Sequence, residues 1–476
     1  MATTIPSNRA AFTLAEVAQA TGGELIGDAG ARVVGVTTDS RAVAPGALFV
    51  ALVGERLDGH AHATAAVAAG AGALLVMRPV AVDAPRVVVR DTTAALAGLA
   101  RAHRDRWEAR GAGRRIVAIT GSAGKTTTRR ATAALLTEVS RQVHATTGNL
   151  NNAVGAPMTL LGLGEEHDTA VLELGTSSPG EIGHLAEMAR AHVGVVTLVA
   201  AAHTERLGGL DGVATEKGAL LRALPTDGAA VFFADDPRVR RLASESPARA
   251  RVGFGHGDDA DVRVIERRVI DPSRSSITLS ARGAHLTFEL PLLGRAGALA
   301  AAAAVAVAVA LGHEVPTDEQ ATRAFSALAD GADGRLAATT LGDGSWLLDD
   351  SYNANRASME ASLEAASELA RASGRRLVLV LGAMLELGAL EDGEHAAVAD
   401  RARGAGPAVV VAVGAPARVI AERCRDSAEV ASVDRAADAV PWLARARRAG
   451  DVILVKGSRG VGLDAVADAL RHGDPT

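Results

Sequence analysis

Short runs of consecutive apolar residues alternate along the chain with longer stretches in which alanine and leucine recur at helical spacing. A strand covered on both faces loses the polar half of its period, so the short runs read as buried strands. They fall at 33–37, 47–51, 73–76 and 86–89, then at 115–119, 170–174, 194–199 and 229–233, and finally at 346–349, 377–381, 408–413 and 452–455. Helical sequence follows most of them, the rhythm of an α/β fold built on parallel sheets. Residues 260–290 instead alternate apolar and polar positions, as a small antiparallel ribbon would. Thr13-Leu-Ala-Glu16 has the spacing of a capping box and predicts a helix start. A helix over 93–110 runs into Gly111-Ala-Gly113, and Asp330-Gly-Ala-Asp-Gly334 breaks the pattern again. Three domains are therefore expected, at 1–110, 111–330 and 331–476.

Composition narrows the class. A chain of 476 residues has ample apolar material for two or three cores. Its longest uncharged apolar stretch, 296–312, is mostly alanine and shorter than the roughly 20 residues a bilayer requires, so it reads as a buried helix and no membrane span is expected. Fifty basic against 55 acidic residues provide no general field for nucleic acid or anionic lipid. Any anionic ligand must be held by local groups. The one cysteine, Cys424, excludes an internal disulfide, and the N-terminus lacks a basic region followed by an apolar run, so a cytoplasmic location is expected.

The scarce residues carry the chemistry. Only Lys125, Lys217 and Lys456 are lysines; every other basic residue is arginine. A lysine kept in such a background suggests a need for a compact amine, although any one of them taken alone could be an ordinary surface residue. The one tyrosine, Tyr352, and five of the six asparagines cluster in the segments 149–152 and 351–355.

Ile116-Val-Ala-Ile-Thr-Gly-Ser-Ala-Gly-Lys-Thr-Thr-Thr128 places a glycine-rich turn between a buried strand and a helix, where backbone N–H groups and the helix dipole converge on an anion. Lys125 adds a positive charge and Thr126 a hydroxyl suited to Mg²⁺. The spacing is GxxGKT, shorter than the usual phosphate loop, with Ile119 at the first glycine position. Glu173 ends one predicted strand and His203 follows another, so both belong at the carboxyl edge of the sheet, where either could ligate a cation. A solvated loop histidine is the competing reading for His203, and a surface residue the competing one for Lys217.

These residues resemble the Mur ligases, the ATP-dependent amide-forming enzymes of peptidoglycan synthesis. The resemblance covers nearly the whole chain. It rests on Thr37-Thr-Asp-Ser-Arg41, Asp58-Gly-His60, the loop Gly121 to Thr128, Thr147-Gly-Asn-Leu-Asn-Asn152, Asp349-Asp-Ser-Tyr-Asn-Ala-Asn355, Leu381-Gly-Ala-Met-Leu-Glu-Leu-Gly388 and Lys456-Gly-Ser-Arg459. The asparagine-rich segments favour the branch that adds D-alanyl-D-alanine to a UDP-N-acetylmuramoyl-tripeptide. The resemblance implies a UDP-sugar-binding domain, a central phosphate-loop ATPase domain and a C-terminal Rossmann-like domain, acting as a monomer.

By position, it implies that Ser40 and Arg41 seat the uridine diphosphate, and that Gly121, Ser122, Ala123, Gly124, Lys125, Thr126 and Thr127 wrap the ATP phosphates, with Arg335 reaching them. Thr126, Glu173, His203 and a carbamylated Lys217 would serve Mg²⁺. Asn149, Asn151, Asn152, Tyr352, Asn353, Asn355, Lys456 and Arg459 would contact the substrates. The chain departs from the family pattern at Ala296, Gly297 and Ala300, at Ser177-Ser178, at Ala383 and at Arg356. These departures leave open a related amide ligase with another acceptor, or a nucleotide-binding paralogue without turnover.

Overall fold

The computed structural model describes residues 5–54, 57–139, 141–329 and 336–473; Arg335 and the break at 330–334 lie outside them. Three principal sheets follow one another along the chain. The first has five strands, drawn from Glu24–Ile26 to Arg86–Val88. The predicted capping box is formed: the Glu16 amide donates to Thr13 Oγ1 at 3.2 Å, and the Thr13 amide to Glu16 Oε2 at 2.7 Å. The single strand expected at 33–37 is two. Arg32–Val34 pairs antiparallel with Ala11–Thr13, whereas Val36–Thr37 pairs parallel with Leu48–Val50. Gly35 divides them with φ 88°, and a β-carbon there would lie 2.9 Å from the Asn8 carbonyl oxygen. Only glycine turns the chain at that point without a clash.

The second sheet has nine strands. At its centre Arg115–Thr120 is flanked by Thr169–Glu173 on one side and Val193–Val196 on the other, all parallel. Beyond Val193–Val196 come Ala229–Phe233 and Ala250–Gly255. The ribbon foreseen at 260–290 is present as Val262–Asp271, Arg274–Ala281 and Ala284–Leu290, which extend this sheet antiparallel to one another. The alanine-rich segment forms the helix Gly294–Ala310, with residues 300–308 almost wholly buried. Small side chains let it lie close to both the sheet and the helix Lys125–Glu138, sharing one apolar core with them. Among the described residues no helix is long and apolar enough to cross a membrane.

The third sheet has six strands, parallel except for its edge strand Ala337–Thr340. Packing continues across the units. The helix Thr92–Glu108 shares a core with the central unit through Leu96, Leu99 and Trp107, and its buried Arg104 donates to the Met188 carbonyl. Leu293 and Ala201 of the central unit enter the core of the third. The carboxyl ends of the central strands therefore face the third unit across one cavity of about 870 Å³.

Candidate active site

The centre of this cavity is the turn between Arg115–Thr120 and Lys125–Glu138. Gly121 has φ 150°, and a β-carbon there would fall 1.9 Å from Thr197 Oγ1. Gly124, at φ 81°, caps the helix. Hydrogen bonds stitch the turn to the next strand end: the Ser122 amide donates to the Leu198 carbonyl at 2.9 Å, Ser122 Oγ to the Ala200 carbonyl at 2.9 Å, and Thr197 Oγ1 to the Ala123 carbonyl at 2.6 Å. Lys125 folds back over the loop, its Nζ donating to the Gly121 carbonyl at 2.8 Å. A turn held in this way beneath an ammonium and a helix N-terminus has the donors to cradle an anion.

Glu173 lies beside it, 2% exposed at the end of its strand. Thr126 Oγ1 donates to its Oε2 at 2.8 Å, Arg129 Nε donates to the same oxygen at 3.2 Å, and Asn151 Nδ2 donates to Oε1 at 2.8 Å. Among the described residues no group of three or more acidic, histidine or cysteine side chains is arranged to enclose a metal ion. One hydroxyl and one carboxylate beside such a turn nevertheless suit Mg²⁺, which takes few protein ligands and completes its shell with phosphate and water oxygens.

His203 lines the cavity with left-handed backbone, φ 55°, and its Nδ1 is paired with Glu386 of the third unit. Glu386 has φ 62°, so two non-glycine residues in a sparsely populated conformation meet across the units. The neighbouring Thr204 Oγ1 donates to the Leu387 carbonyl at 3.1 Å. Lys217 is not a surface lysine. It sits on the helix Gly209–Arg222 at 3% exposure, and its pKa is lowered to about 7 by burial first and by the nearby Lys125, against the opposing charges of Glu216 and Glu181. Glu216 accepts from the Gly180 and Ile182 amides at 2.7 Å each, while Glu181 accepts from the Ser177 amide at 2.7 Å and the Ser178 amide at 3.1 Å. Ser177 and Ser178 thus present main-chain donors to Glu181, and neither Glu181 nor Glu216 was foreseen from the sequence.

Of the other expected contacts, Asn149, Asn151 and Asn152 line the central side of the cavity, and Tyr352, Asn353, Asn355 and Lys456 the opposite wall. Several already have structural work. Asn152 Oδ1 accepts from the Val154 and Gly155 amides. Lys456, 1% exposed, donates to Asp350 Oδ2 at 2.6 Å and to the Asn353 carbonyl at 3.0 Å. Asn355 caps the helix Arg356–Ser373 by accepting from the Ser358 amide at 2.9 Å, and its Nδ2 crosses to the Ser122 carbonyl of the phosphate loop at 3.1 Å. Arg459 stands 5.6 Å from the Tyr352 ring centre, outside the cavity lining. Ser40 and Arg41 also lie away from this cavity, in the first unit. The Arg41 side chain is 88% exposed and its Nη2 is 2.7 Å from Asp39 Oδ2; this contact helps to hold the Asp39 pKa down at about 2.

Comparison with known proteins agrees with this architecture. Family models match three stretches: the Mur ligase family catalytic domain at residues 32–104, the Mur ligase middle domain at 119–308, and the Mur ligase glutamate ligase domain at 334–459. The UDP-N-acetylmuramoyl-tripeptide–D-alanyl-D-alanine ligase of Escherichia coli is 38% identical, with 97% of this chain and 98% of that protein covered. The protein of the same name from Mycobacterium tuberculosis is 37% identical, covering 96% of this chain and 97% of its own length. Among solved structures, MurF from Acinetobacter baumannii superposes with a TM-score of 0.86 at 29% identity, covering 98% of this chain and 99% of that one. MurF ligase from Thermotoga maritima in complex with ADP gives 0.80 at 26% identity, covering 92% and 97%. Matches of this extent, over all three units, place the chain in the Mur ligase family.

Proposed function

We propose that the chain is an ATP-dependent ligase that joins D-alanyl-D-alanine to UDP-N-acetylmuramoyl-tripeptide through an acyl phosphate, acting as a cytoplasmic monomer. The observation that carries this reading is the phosphate cradle of Lys125 and Thr126, with Glu173 beside it, facing the asparagine- and lysine-bearing wall of the third unit across one cavity. The likeness to proteins of that name over nearly the full length supports it.

A carboxylate is a poor electrophile. In the proposed first step a carboxylate oxygen of the tripeptide attacks the γ-phosphorus, the bond to the bridging oxygen breaks, and ADP leaves. The amine of the dipeptide then attacks the acyl carbon, phosphate leaves with the carbon–oxygen bond's electrons, and the nitrogen gives up its proton. Both steps gather negative charge on phosphoryl oxygens, so fixed donors and a nearby cation supply the rate. Lys125 and the amides of 123–127 hold the phosphates, the Ser122 amide being committed to the Leu198 carbonyl. Thr126, Glu173 and His203 would hold Mg²⁺, which would neutralise phosphate charge. Ser40 and Arg41 are assigned to the uridine diphosphate; Asn149, Tyr352, Asn353 and Arg459 to the peptide substrates. The test is phosphate release with ATP, Mg²⁺, the UDP-muramoyl-tripeptide and D-alanyl-D-alanine. Release should require all four, and release indifferent to the dipeptide would count against this acceptor.

The two bonds of Asn355 give a separate expectation. Asn355→Asp keeps an acceptor for the helix cap but turns the donor facing the Ser122 carbonyl into a carboxylate oxygen. Melting temperature should stay within a few degrees of wild type, while turnover falls by on the order of tenfold or more through lost registration of the third unit on the phosphate loop. Equal losses in Asn355→Asp and Asn355→Ala, matched by equal destabilisation, would reduce the residue to a cap.

A further inference from the structure

The end of the cavity farthest from Glu173 carries an inference about nucleotide choice. Arg115–Thr120, Val193–Val196, Ala229–Phe233 and Ala250–Gly255 are consecutive parallel neighbours, so each strand end lies about 4.8 Å beyond the last. A triphosphate seated on the loop after the first strand extends its nucleoside over the ends of the third and fourth, roughly 10–14 Å away. The walls there are apolar: Phe233, Phe254, Ala296, Leu299 and Ala300. They can stack on a base or enclose it, but their side chains cannot hydrogen-bond its edge.

The polar side chains at this end are nearly all engaged elsewhere. Asp235 accepts from the His256 and Gly257 amides with its carboxylate, and Asp236 caps a helix through the Arg238 amide. Arg295 Nε is 3.4 Å from Glu364 Oε2, and Ser358 Oγ lies within the Asn355 cap. The exception is His256. The residue lines the cavity and is exposed, and its ring makes no hydrogen bond among the described residues.

We propose that His256 is the side chain that reads the purine edge, and that it makes this ligase accept 6-oxopurine as well as 6-aminopurine triphosphates. The inference rests on the nucleotide-dependent reading above. Desolvation, with Arg295 and Arg267 nearby, lowers the His256 pKa against the opposing charges of Asp235 and Glu364, so the ring is neutral at neutral pH. A neutral imidazole has one donor and one acceptor nitrogen and exchanges them by changing tautomer. It can accept from a 6-amino group or donate to a 6-oxo group. Strong rejection of the wrong base needs a group of fixed polarity that would be left unpaired; the carboxylates at this end are held by main-chain amides, and the Arg295 guanidinium is drawn towards Glu364.

The experiment compares ATP, GTP and ITP in the complete reaction, together with ADP and GDP binding by calorimetry. Wild-type kcat/KM for GTP and ITP should lie within about tenfold of that for ATP. His256→Ala should raise KM for ATP and GTP alike, by roughly tenfold each, with kcat changed far less. His256→Glu, which can only accept, should retain ATP and lose GTP by about a further tenfold. More than a hundredfold wild-type preference for ATP, or unchanged KM values in His256→Ala, would overturn the assignment. Calorimetry separates the two claims: ADP and GDP binding alike and weakening together in His256→Ala would uphold the base assignment even where ligation itself failed.

Discussion

Lys125→Ala should bring turnover down by at least a hundred- to a thousandfold, the order lost when one fixed donor to developing charge is removed. The side chain crosses the loop to the Gly121 carbonyl and is only partly buried. Its removal opens no core cavity, so melting temperature should change little. Lys125→Arg should fail as well. The longer planar guanidinium does not fit where the compact amine bends back onto its own loop, and in a chain otherwise so rich in arginine this position has stayed lysine. Stopped-point phosphate assays beside thermal unfolding check both statements. Turnover within a fewfold of wild type in Lys125→Ala would remove the residue from the phosphate site.

The second large effect is expected at Lys217. An ordinary ammonium does not react with carbon dioxide, whereas an amine with a pKa of about 7 is substantially neutral at neutral pH. Its nitrogen can then attack CO₂, forming an N–C bond and releasing a proton, which leaves a carboxylate-like group where a cation stood. We propose that Lys217 is carbamylated and that the carbamate serves the metal site. Arginine could not supply this chemistry. Lys217→Ala should lose activity by on the order of a hundredfold, and a small carboxylic acid such as acetate should restore part of it by occupying the vacated position. Mass spectrometry under CO₂ should detect the adduct on the folded protein. An active Lys217→Ala enzyme indifferent to acetate would leave the lysine as a buried charge balanced by Glu216 and Glu181.

What could be read before the structure divides by range of interaction. The phosphate loop, the strands around it and the capping box at Thr13 depend on local spacing, and each is formed as expected. The split at Gly35 depends on the Asn8 carbonyl approaching from another segment, which no local pattern reports. Helical periodicity could not decide whether Lys217 faced solvent or core; that followed from the packing of its helix beneath the loop of Ser177 and Ser178. Glu216, Glu181 and Glu386 were missed because acidic residues on helices and loops are ordinary until their partners are known. Glu386 had one available signal, its place inside the Leu381 to Gly388 segment already singled out. The scarcity of lysine and asparagine singled out Lys456 and Asn355, which both line the cavity. It could not show that one is committed to Asp350 and the other to a helix cap.

The central claim is that the cradle at Lys125 holds a triphosphate while a carboxylate is activated on its γ-phosphorus. The most direct measurement follows the oxygen atoms. UDP-muramoyl-tripeptide labelled with ¹⁸O in the reacting carboxyl group is incubated with ATP, Mg²⁺ and D-alanyl-D-alanine, and the released phosphate is analysed by mass. Transfer of one ¹⁸O from substrate to phosphate in each turnover is the predicted result. Phosphate released without label alongside labelled amide product would contradict the account.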